Sequence, residues 1–143
     1  MDETPAERPG PAPAALDLVT ITAADLARSL AFYDAALAAL GLVRTTELVD
    51  EEEEDPDLEA AAWGPADGPA VLWLVTGPRP TAGLHLRFQA DSRVDVETFF
   101  AEALEHGGTT HTAPRRWTLY RRGEFHAIVR DPAGNLIEAV SAE

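Results

Sequence analysis

In "GLHLRF", residues 83–88, a histidine stands between leucines in a segment that alternates as a buried strand does. His85 there is a metal ligand, a substrate contact, or a core histidine with a local hydrogen-bond partner. Arg87 follows it by two and shares its face, as does Gln89. An arginine pointing inward needs a partner, either an internal carboxylate such as Glu138 or an anionic ligand. Trp73 points inward by alternation between Val71 and Val75, as a core residue or as a stacking platform. In "PRRWTLYRRGEF", residues 114–125, four arginines accompany Trp117 and Tyr120. Arginines forked toward a carboxylate or phosphate would suit an acidic ligand, with Trp117 and Tyr120 covering its apolar part. The competing reading of that stretch is a solvated edge that offsets an acidic first half. His106 and His111 flank the glycine stop of a helix and are expected to face solvent.

Elements that position these residues follow from periodicity. "LDLVTITA" reads as a strand, with Leu16, Leu18 and Thr20 on one face and Asp17, Val19 and Ile21 on the other. Asp25 then caps a helix to about Leu40, in which Leu26, Leu30, Tyr33 and Leu37 recur every three or four residues, and Gly41 stops it. "LVRTTEL", "LEAAAW" and "AVLWLV" are strand candidates, separated by an acidic run and by "GPADGP". A gapless shift by 67 residues lays "LDLVTITA" over "GLHLRFQA", Leu37 over Leu104 and Gly41 over Gly108. The second helix has its own start signal in Ser92, with Asp95 three residues on. Strands near "TTHTAP", "EFHAIVR" and "NLIEAV" complete the second copy, and Asp131-Pro132-Ala133-Gly134 forms the last turn. If that turn pairs Asp131 with Asn135, Ile128 lies opposite Glu138 and His126 shares the inward face. Slipping the register by one residue would send His126 to the other face.

The fold class read from this pattern is α+β, two βαβββ modules at about residues 16–77 and 82–141, behind a proline- and alanine-rich tail over residues 1–15. Each strand is hydrophobic toward its helix, so the other strand faces must enclose something.

Composition narrows the chemistry. With 143 residues the chain suits one domain, and with no cysteine it has neither disulfides nor thiolate ligands nor a thiol nucleophile. No apolar stretch is long enough for a membrane span, and no leader pattern opens the chain, so a cytoplasmic, membrane-free protein is expected. The formal charge of −14 argues against nucleic acid as a partner. That charge is lopsided, since residues 1–78 carry 16 of the 25 acids and only three of the 11 basic residues. Seven acids fall within "DEEEEDPD", residues 50–57, which reads as a solvated loop.

The stretches "LDLVTITAADLARSLAFYDAALAALGL", "GLHLRFQADSRVDVETFFAEALEHGG" and "RGEFHAIVRDPAGNLIEAV" resemble the vicinal oxygen chelate superfamily over about residues 16–140. That group includes glyoxalases, extradiol dioxygenases, fosfomycin-resistance enzymes and bleomycin-resistance proteins. The resemblance implies an open, cup-shaped sheet around a cavity, usually in a homodimer. It further implies metal ligands on the first and last strand of each module, which here fall at Leu18, Trp73, His85 and Glu138. Inward imidazoles and carboxylates would hold a divalent ion such as nickel, manganese, iron or zinc, whose open positions polarise two substrate oxygens. Only His85 and Glu138 can ligate, whereas such sites normally provide three or four protein ligands. His126 is the candidate third. Without a metal, His85 and Glu138 would pair structurally, contact substrate, or serve as acid and base.

Three functions are therefore expected in order. The first is a small-molecule-binding member without the full metal centre, with a ligand among Trp73, Arg87, Trp117, Tyr120 and His126. The second is a metal-dependent glyoxalase- or dioxygenase-like enzyme using His85 and Glu138. The third is a metal-independent enzyme with one of that pair as base.

Overall fold

The structure, a computed structural model, describes residues 10–49, 51, 52, 54, 58–117 and 123–142. Residues 1–9 of the expected tail, part of the acidic run and Tyr120 lie outside the described residues.

The first half of the chain forms β1 (Val19–Ala23), α1 (Leu26–Ala38), β2 (Val43–Val49), β3 (Leu58–Gly64) and β4 (Leu72–Thr76). The second half repeats the order with β5 (His85–Gln89), α2 (Arg93–Glu105), β6 (Thr109–Trp117), β7 (Glu124–Arg130) and β8 (Leu136–Ala142). Each half makes one mixed four-stranded sheet, ordered β1-β4-β3-β2 in the first and β5-β8-β7-β6 in the second. Both helices start where expected, with Asp25 accepting from the Arg28 N–H and Ser92 from the Asp95 N–H. β1 begins three residues later than the sequence pattern suggested, at Val19 rather than Leu16, so Leu18 precedes the strand and is 40% exposed.

One detail of the repeat differs. The left-handed residue after α2 is Gly107, at φ +99°, while Gly108 is the glycine that aligns with Gly41. Gly108 has another task, because a Cβ there would stand 2.7 Å from the Phe32 ring and 2.8 Å from the Ala103 carbonyl oxygen. It lets the end of one helix meet the flank of the other.

Alternation divides the strands as expected, β6 excepted. Ile21, Leu72, Leu74, Trp63, Phe125, Val129, Ile137 and Ala139 pack toward the helices, where Phe32, Tyr33, Leu37, Val96 and Phe99 fill the core. α1 and α2 touch each other, so both modules share this core. A buried polar link reinforces the junction, since the Tyr33 hydroxyl donates to Asp131 in the turn between β7 and β8. Asp131 Oδ1 also accepts from the Ala133 and Asn135 N–H groups, and Gly134 takes the left-handed position at φ +93°. The Asp131 N–H donates to the Asn135 carbonyl oxygen, which fixes the expected register: Ile128 lies opposite Glu138.

The opposite sheet faces carry the residues of chemical interest. On the first sheet Thr20 pairs with Trp73, and on the second Arg87 pairs with Glu138 in the equivalent place. Trp73 is thus the first-module counterpart of Glu138. No described helix is long and apolar enough to cross a membrane.

Candidate functional site

Period-two alternation places His85 and Arg87 on the outer face of β5, Glu138 on β8, and Glu124, His126 and Ile128 on β7. These side chains form one network. His85 Nε2 lies 2.8 Å from one Glu138 carboxylate oxygen, and His126 Nδ1 lies 2.6 Å from the other. Arg87 Nε approaches that second oxygen at 3.3 Å. The rest of the Arg87 guanidinium forks onto Glu124, at 2.8 and 3.1 Å. Arg87 therefore has internal carboxylate partners, the first of the two readings its sequence position allowed. Glu124 was overlooked as a partner; it lies two residues before His126, and that spacing was the signal for a shared face.

Electrostatics fix the hydrogen positions. Burial works against a charge on Glu138, but hydrogen bonds from His126 and His85 and the Arg87 guanidinium outweigh it and hold the carboxyl below the usual range. An ionised carboxylate only accepts, so His126 donates from Nδ1–H and His85 donates from Nε2–H. His85 then shows Nδ1 to the exterior, its side chain being 48% exposed. His126 is 3% exposed, and its Nε2 is buried without a hydrogen-bond partner. Hydrogen bonds from Arg87 to Glu124 are the main influence raising the arginine's already high pKa.

A cleft of about 380 Å³ opens over this network, lined by His85, Arg87, Glu138, His126 and Ile128 and walled by β6. The β6 wall consists of His111, Thr112, Arg115 and Trp117. The Trp117 indole stacks on the His126 imidazole, with centroids 5.1 Å apart, and the Arg115 guanidinium lies over the indole at 5.2 Å. Two register shifts in the pairing of β6 with β7 bring the neighbours His111 and Thr112 to the same cleft, which strict alternation forbids. His111 is exposed, as expected, and lines the cleft as well. His106 is exposed at the end of α2, with its Nδ1 against the Glu102 carbonyl oxygen.

Trp73 is not brought to this network; it lies on the first sheet, opposite Thr20 and Ala62. A second, largely apolar cleft of about 610 Å³ runs along β1 and β5, lined among others by Leu16, Leu18, Leu86 and Phe88.

The donor set does not fit the divalent ion that the fold suggests. Leu18 offers hydrocarbon, and the Trp73 indole offers only an N–H donor. Both oxygens of Glu138 are engaged by imidazole N–H groups, and the Arg87 cation is 3.3 Å from one of them, where a metal ion would meet like charge. Among the described residues, only Glu102, Glu105 and His106, at the end of α2, bring three possible ligand atoms within 4.8 Å of one another.

The paired βαβββ modules, with a polar network on one sheet face under a cleft, define a protein of the glyoxalase type in fold. The sequence profile of the Glyoxalase/Bleomycin resistance protein/Dioxygenase superfamily matches residues 15–139, and the chain belongs to that superfamily. A glyoxalase/bleomycin resistance protein from Albidiferax ferrireducens T118 is 26% identical, with a TM-score of 0.67 over 89% of this chain and 98% of that one. A lactoylglutathione lyase from Agrobacterium tumefaciens is 22% identical, with a TM-score of 0.59 over 90% of this chain and 94% of that one. A glyoxalase/bleomycin resistance protein/dioxygenase family enzyme from Burkholderia phytofirmans PsJN is 18% identical, with a TM-score of 0.61 over 91% of this chain and 100% of that one. No functionally curated protein matches the chain.

Proposed function

We propose that the protein binds a small organic molecule in the cleft over the second sheet, without the full metal centre. The observation that carries this reading is the network itself. Charged side chains on β5, β7 and β8 pair among themselves beneath a cleft, while an arginine and a tryptophan wall it from β6. A preformed recess with a few convergent polar groups is the usual form of a small-molecule site. In it, His85 and Glu138 contact the ligand or serve as acid and base, Arg87 orients Glu138, and Trp117, Arg115 and His126 bound the ligand. Tyr120 keeps the ligand-facing role proposed from sequence, whereas Trp73, on the first sheet, does not line this cleft. The same proposal includes a homodimer and a cytoplasmic location.

Metal analysis and calorimetric titration with nickel, manganese, iron(II) and zinc, beside a thermal-shift screen of small organic molecules, test the proposal. The expected outcome is no metal bound tighter than about millimolar, and an organic ligand whose stabilisation is lost in His85→Ala and Trp117→Ala. Stoichiometric metal binding abolished by both His85→Ala and Glu138→Ala would overturn it in favour of the metal-dependent enzyme. The observation favouring that second reading is that two imidazoles and one carboxylate already meet on one sheet face.

A further inference from the structure

Among the described residues, two buried side-chain polar atoms lack any partner: Ser141 Oγ and His126 Nε2. Ser141 is fully buried within β8 and lines neither cleft. His126 lines the cleft over the network. Because Nδ1 is spent on Glu138, Nε2 is directed away from that carboxylate on the far side of the ring. Leaving a buried polar atom unpaired is costly, and such exceptions need an explanation. A bound partner that donates a hydrogen bond supplies one.

Arg115 is the second unmatched group. It lies directly across from His126 in the pairing of β6 with β7, and it also lines the cleft. It has no carboxylate partner among the described residues, and its only contact of this kind is the Trp117 ring. Arg87 is neutralised by Glu124 and Glu138, so among the described residues that line the cleft Arg115 is the cation offered to a ligand. The two unmatched groups are thus an imidazole nitrogen, which accepts when the ring is neutral, and a cation, one cross-strand pair apart.

Resting on the small-molecule reading above, we infer that the ligand is a small organic acid that also carries a hydroxyl. Its O–H donates to His126 Nε2 and its anionic group meets Arg115. The Trp117 indole is stacked on the face of the His126 imidazole and lines the same cleft, so a ligand bound there changes the indole's surroundings. Binding is therefore reported by Trp117 emission.

The test uses a matched set of probes: meta- and para-hydroxybenzoate, the corresponding methoxybenzoates, and the corresponding hydroxybenzamides. Methylation removes the donor, and the amide removes the charge. Wild type is expected to bind the best hydroxybenzoate about ten-fold more tightly than either counterpart, with a change in tryptophan emission. His126→Asn keeps an N–H at the position of Nδ1 and deletes Nε2. It should abolish the preference for hydroxyl over methoxy and leave the preference for carboxylate over amide. Arg115→Gln should do the reverse, and His126→Gln, which restores a polar atom near Nε2, should recover part of the first preference. Equal affinity for all three probe types, or a hydroxyl preference that survives His126→Asn, would overturn the inference while leaving small-molecule binding intact. Failure of every probe to bind would also overturn it, and the independent ligand screen would then decide whether the broader reading falls too.

Discussion

Glu138 orders its neighbours by what it cannot do: ionised, it has no proton to give, so each imidazole beside it must present one particular nitrogen. Nitrogen-15 NMR at neutral pH should therefore show His126 with hydrogen on Nδ1 and a bare Nε2, and His85 with the opposite tautomer. The reverse pattern for His126 would remove the acceptor from the cleft. Stability should follow the same carboxylate. The folded protein holds Glu138 below its usual pKa, so the unfolded chain takes up this proton first as pH falls. The associated stabilisation is complete above the ordinary glutamate pKa of about 4.3 and is lost as pH drops from there through the folded value. Glu138→Gln should lack this part of the acid dependence in urea titrations across that range, even if its absolute stability is lower. Residue by residue, His85, Arg87 and Glu138 were legible because two-residue spacing and one inward face were visible. His126 depended on a register that only the turn chemistry of Asp131 and Gly134 could supply. Trp117 was legible as an aromatic over a site, but its stacking on His126 joins separate strands and has no trace along the chain.

At the scale of elements, the two helices and their caps follow from Asp25, Ser92 and the apolar spacing, while the ends and edges do not. β6 carries two irregularities that place His111 and Thr112 side by side on the cleft wall, and no glycine or proline marks the residues between which the first occurs. Gly108 shows a similar limit. Aligned with Gly41, it suggested a left-handed stop, but that conformation belongs to Gly107, and what Gly108 needs is room beside Phe32 and Ala103. Gly108→Ala is expected to force the α2–β6 corner away from α1 and to cost about 1–3 kcal/mol in denaturant unfolding, the usual range for overpacking. Gly107→Ala should also destabilise, by about 1 kcal/mol, through its positive φ alone. A cost at Gly108 no greater than that at Gly107 would show that the corner yields easily.

For the whole molecule, the connection between modules matters more than either module's sheet. Among the described residues no strand of the first sheet is hydrogen-bonded into the second; the halves meet through α1 against α2, the shared core, and the Tyr33 hydroxyl on Asp131. Burial, together with the Asp131 charge and hydrogen bond, raises the Tyr33 pKa well above the ordinary tyrosine value, so the phenol stays a donor at all working pH. Tyr33→Phe should lower unfolding stability by about 1–3 kcal/mol, because it removes a donor from a buried carboxylate. A ligand held entirely by the second module should still bind, so an unchanged dissociation constant in that variant is the accompanying expectation.

The equivalence of two registers has one more consequence. Thr20 faces Trp73 on one sheet as Arg87 faces Glu138 on the other, yet one pair is a hydroxyl and an indole and the other is ionic. Duplication has left the chain with two copies of one socket, and only one of them is wired. The unwired copy can accumulate substitutions at Thr20 and Trp73 without disturbing the Arg87–Glu138 contact, and is the natural ground on which a new activity could be installed without dismantling the old.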